Sequence, residues 1–123
     1  MKIAGWIMIG IFGLFMLGAS VFPKLSGMDA AAIAMTQIGY PLHYILLIGV
    51  LELVATLLII YPRTALAGGT MMTAILGGAI ASQLRVEAPL ISHTLFGVYL
   101  GVFMWIAICL RNPRIFAAFL GRL

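Results

Sequence analysis

Five side chains are of a type and position to do chemistry within an otherwise apolar chain: Glu52, Lys24, Arg85, Tyr44 and His93. Glu52 lies in LIGVLELVATLLIIY, residues 47–61, a stretch fit for hydrocarbon. A carboxylate at the centre of a membrane helix costs about 2.5–3.5 kcal/mol or more unless something pairs with it, so such an acid marks a site or an internal ion pair. Paired with a cation, it could orient the polar head of a lipid-soluble molecule. Free of a tight pair, it could act as a general acid or base. Lys24 and Arg85 are the candidate cations. Cβ bonds tilt toward a helix's own N-terminus, which sends Glu52 and Arg85 toward each other if their helices are antiparallel neighbours. The two differ in depth by about nine residues, or ~13 Å at ~1.5 Å per residue, a gap that long side chains with a water or polar ligand could close. Tyr44 lies eight positions before Glu52, close to the same helical face. His43 points almost the opposite way at 100° per residue, and His93 opens the fourth apolar run.

These residues need a scaffold, and composition names it. Of 123 residues, 64% are hydrophobic and 8% charged, against roughly 25% charged in a soluble domain. Four apolar runs, about 3–22, 42–61, 64–84 and 90–110, are each near the ~20 residues that an α-helix needs to cross ~30 Å of hydrocarbon. A transmembrane β-barrel would show alternating polarity instead. The expectation is an all-α integral membrane four-helix bundle, one domain over residues 1–123. The first run is expected to be kept rather than cleaved, being longer than a signal-peptide core. With four crossings, Lys2, Arg63, Arg111, Arg114 and Arg122 share one side and Lys24 and Arg85 the other. That bias predicts both termini cytoplasmic. The net charge of +4 is then a topology signal with some affinity for anionic lipid, and nothing in it suggests nucleic acid.

Pro62-Arg63 is too short a turn for anything but antiparallel neighbours. In the long outer connection Asp29 is a candidate N-cap and Gly39 a candidate stop, which predicts a short helix over about 29–38. IFAAFLGRL, between Arg114 and Arg122, suits an interfacial helix end. Gly69, Thr73, Gly77 and Ala81 form a small-residue strip on the third run, and His93, Gly97, Gly101, Trp105 and Cys109 a row on the fourth. Such strips pack helices and suit a homodimer. Cys109 is the single cysteine, so no intrachain disulfide forms. His43 and His93 carry no other iron-site cue, so haem is not expected, and metal-ligand spacing is absent.

The ordered combination SVFPKL at 20–25, IGYP at 38–41, GVLELVATLLIIYPRTALAG at 49–68 and ILGGAIASQLR at 75–85 resembles the DoxX-like family of small four-helix membrane proteins, over roughly Ser20 to Leu110. The resemblance implies a four-helix bundle and puts Lys24, Glu52 and Arg85 at the family's recurrent polar positions. Its branches imply different work: a subunit of a thiosulfate:quinone oxidoreductase, a partner of thiol and superoxide defence enzymes, or receptor-assembly and cargo factors. The leading expectation is a subunit of a redox or membrane complex that binds a hydrophobic small molecule with a polar head, such as a quinone, through Glu52, Arg85, Lys24, Tyr44 and His93. Two alternatives stay open: a membrane enzyme using Glu52 on a hydrophobic substrate, and an assembly or scaffold factor.

Overall fold

Continuous apolar sequence leaves backbone N–H and C=O groups no partner in hydrocarbon except one another, which selects helix. The computed structural model describes residues 2–122. Its elements are α1 (Lys2–Leu25), α2 (Asp29–Gln37), α3 (Leu42–Ile60), α4 (Pro62–Arg85), α5 (Leu90–Arg111) and α6 (Pro113–Phe119). Of these, α1, α3, α4 and α5 are long and apolar enough to cross a membrane. They run up and down in turn and pack as a ring in which α1 meets α3, α3 meets α4, α4 meets α5, and α5 returns to α1. The chain is thus an all-α, multi-pass integral membrane protein built as a four-helix bundle. Large apolar side chains such as Ile3, Leu14 and Ile91 are more than 70% exposed. That outward-facing apolar surface is what lipid requires and water forbids.

Helix association in lipid rests on close packing, because tails are as apolar as leucine. The core gathers Ile9, Phe12, Ile59, Met72, Met104 and Ile108 along the bundle axis. Two glycines set the closest approaches. A Cβ on Gly5 would overlap the Arg111 backbone, and one on Gly68 would come within 2.6 Å of the Ile59 nitrogen and 2.9 Å of the Ala55 oxygen. Backbone cannot yield as a side chain does. Gly68→Ala should therefore destabilise the bundle by about 1–3 kcal/mol, measured by unfolding in mixed micelles. Gly77→Ala, whose Cβ would meet nothing within 4 Å, should leave stability unchanged or slightly raised.

Two boundaries differ from the sequence expectation. The first span continues to Leu25 instead of ending at Phe22, because Met16–Val21 is a π-helical segment that carries the chain into Pro23. Phe22 donates its N–H to the carbonyl five residues back, at Leu17. That shift of register adjoins the residue that lacks an N–H, and membrane helices tolerate proline by such adjustment. In α2, Met28 is the extended flanking residue and Asp29 the first helical one. Its charge faces the helix N-terminus without a capping hydrogen bond. The stop at Gly39 is as expected: Gly39 has φ +77°, Tyr40 donates to Met35 and Gly39 to Thr36, a Schellman ending. Ala31 and Met35, one turn apart, bury the inner face of α2 beside the ends of α1 and α3.

Candidate functional site

Glu52 sits mid-way along α3, and its side chain is only 7% exposed. Its partners come from the far end of α1, the end opposite the termini. The Lys24 Nζ lies 3.1 Å from Oε1 and 3.4 Å from Oε2. The Ser20 hydroxyl donates to Oε2 and accepts a 2.7 Å bond from Lys24. Ser20 and Lys24 are one turn apart, so both fall on the same face of α1. Ser20 belongs to the π segment, whose wider turn swings the hydroxyl toward α3. Gly49 permits the approach: a Cβ there would stand 3.0 Å from both the Lys24 Cβ and the Leu25 side chain. One turn past Glu52, Thr56 is fully buried and donates back to the Glu52 carbonyl at 2.7 Å. The result is a neutral carboxylate–hydroxyl–ammonium cluster in which both carboxylate oxygens are engaged.

Arg85 is elsewhere. Its Nη2 donates to the Ile38 carbonyl at 2.7 Å, at the C-terminal end of α2, where a cation meets the negative pole of the helix. The reach of Arg85 toward Glu52 is thus taken up by a clamp on the short helix, and the cation beside Glu52 is Lys24. Tyr44 is half-exposed, its ring 4.2 Å from that of His43, and makes no hydrogen bond to Glu52. His93 is exposed, and its Nδ1 lies 2.8 Å from the Ser92 hydroxyl. The structure brings together Lys24 and Glu52 from the sequence-predicted set, and it leaves Arg85, Tyr44 and His93 apart. Among the described residues, no three His, Cys, Asp or Glu side chains converge as a metal would need.

Three residues of the polar network and its packing go unread in the sequence. Ser20 carried a signal, its spacing of four from Lys24, and Gly49 another, one turn before the acid. Arg111, counted there only as a topology charge, is 5% exposed. It donates to the Ile60 carbonyl at 2.8 Å and to Ile59 at 2.5 Å, capping the C-terminus of α3, and it stacks 4.8 Å from the Trp6 ring centroid. An apolar groove of about 860 Å³ lies away from Glu52, beside α4, α5 and α6 at the end that carries the termini, lined by Leu66, Thr73, Trp105, Cys109 and Phe119 among others.

The model of the DoxX-like family matches residues 7–107. The chain belongs to the DoxX-like family. That match takes in all three partners of the buried cluster, Ser20, Lys24 and Glu52, and Arg85 with them. No curated protein and no solved structure matches this DoxX-like chain.

Proposed function

We propose that this DoxX-like protein is a membrane subunit that holds a lipid-soluble molecule with a polar head, such as a quinone, within a redox or membrane complex. The observation that carries the reading is the buried Glu52 carboxylate, answered by a Lys24 ammonium that is itself 17% exposed. Of the three ammonium donors, one serves Ser20 at 2.7 Å and one Glu52 at 3.1 Å, while the third has only longer contacts of 3.4–3.5 Å. A ligand carbonyl approaching from the α1 side would take that donor. Glu52 and Ser20 would fix the ammonium in place, so the head is received by a preset donor. Catalysis by Glu52 is a weaker reading, because both carboxylate oxygens already accept from Lys24, and Oε2 from Ser20 as well. The excess of Lys and Arg at the end with the termini supports a cytoplasmic placing of both termini.

The test is extraction of the protein purified from its membrane in mild detergent, followed by mass spectrometry. We expect a quinone or comparable polar-headed lipid enriched over bulk phospholipid. The cargo should be lost in Lys24→Met/Glu52→Gln, which removes both charges and so avoids an orphaned one. No enrichment, or the same cargo in the double variant, refutes the reading. A second reading, an assembly factor whose closed cluster only locks the bundle, rests on the engagement of both carboxylate oxygens. It predicts a defined partner that survives Glu52→Gln and is lost on changing residues 26–40.

A further inference from the structure

We infer that the seam between α4 and α5 is a binding furrow for an anionic phospholipid, with its phosphate on Arg114 and an acyl chain laid along the helices. This site is separate from the Glu52 cluster and does not depend on the function proposed for it. The 860 Å³ groove is bounded by Leu66 on α4, Trp105 on α5 and Phe119 on α6. A second hollow of about 430 Å³ shares Thr73, Trp105 and Ile106 with it and continues to Gly97. Together they run beside α4 from Leu66 to Ile80, ~21 Å at ~1.5 Å per residue, more than the ~15 Å of one leaflet's hydrocarbon. Gly77 and Gly101 keep the furrow open, since a Cβ would meet nothing within 4 Å at the first and only Leu76 at 3.8 Å at the second.

Charge selects the occupant. At the end with the termini, the groove adjoins a hollow of about 380 Å³ that shares Leu66 and Phe119 and is lined by Asn112 and Arg114. Arg114 is exposed and has no acidic partner among the described residues, and Arg63 and Arg122 stand exposed at the same end. No Asp or Glu lies at that end: the three acids are Asp29, Glu52 and Glu87. The fold thus joins an apolar channel of acyl length to a cationic mouth. A phosphate with a free negative charge fits that mouth, and a zwitterionic headgroup gains less. Trp105 forms the wall, held by a 2.9 Å bond from its Nε1 to the Thr73 hydroxyl and by edge contact with Phe119 at 5.1 Å.

Trp105 also supplies the test. In a Trp6→Phe background the full chain, reconstituted in mixed vesicles, has Trp105 as its one tryptophan. Its fluorescence is then quenched by phospholipid brominated on the acyl chain, with either a phosphatidylglycerol or a phosphatidylcholine head. At low salt we expect about fivefold preference for the glycerol head, reduced to near parity by Arg114→Gln or by high salt. Equal quenching by the two lipids overturns the inference, as does a preference that Arg114→Gln leaves intact. Weak quenching by both, with Cys109 crosslinking between copies, also overturns it and makes a second chain the occupant.

Discussion

Replacing Lys24 by methionine should destabilise the protein by about 3–5 kcal/mol, the usual result of stripping the partner from a buried charge. The Glu52 carboxylate would keep only the Ser20 hydroxyl, at a side-chain exposure of 7%. Glu52→Gln should cost less than Lys24→Met, because a freed lysine four carbons long, already at the end of α1, can turn its ammonium toward headgroups. The double variant should regain most of the loss, since a buried pair exchanged for neutral groups of similar volume is often tolerated. Unfolding of the three variants in mixed detergent micelles gives the ranking. Equal stability of Lys24→Met and the native chain would mean that the acid is not held by this lysine.

Arg111→Met is the second large effect, expected at about 2–4 kcal/mol. Two charge-assisted hydrogen bonds disappear, and the Ile59 and Ile60 carbonyls at the end of α3 lose their partner in a place where water is scarce. The stacking on Trp6 goes with them. Arg111→Lys should recover about half, as an ammonium cannot present a planar fork to two carbonyls at once. Arg114→Met, at an exposed position of the same end, should change stability by no more than about 0.5 kcal/mol. Hydrogen exchange should quicken at residues 59–64 in Arg111→Met, where the cap ends α3. Should Arg111 and Arg114 variants behave alike, the arginine is a surface charge and not a cap.

Why the fold could be read from the sequence, and the polar contacts only in part, comes down to length scale. Four runs of about 20 apolar residues leave no alternative to four helices, and Pro62-Arg63 leaves no alternative to antiparallel α3 and α4. Choosing the partner of Glu52 is a finer matter. Lys24 and Arg85 both end helices that run the same way, so Cβ direction favours each equally. What separates them is the π segment and Gly49, which draw α1 onto α3, and the carbonyl of Ile38, which occupies Arg85. Neither is visible in helical periodicity. Arg111 illustrates the opposite error: a charge that fits the topology rule so well that its burial goes unsuspected. The small-residue strips pack only in part: Gly69 receives Trp105, with a Cβ there only 2.8 Å from the indole, and Gly97 meets Ile80. That Gly77 faces open space depends on how far α5 stands away, which no single helix encodes.

Lys24 and Glu52 meet directly inside the bundle, at 3.1 Å. A double-mutant cycle of Lys24→Met and Glu52→Gln, read as unfolding free energy in micelles, measures that interaction alone. A coupling of about 2–3 kcal/mol is the predicted result, with the double variant more stable than Lys24→Met by itself. Costs that simply add, to within about 0.5 kcal/mol, would contradict it.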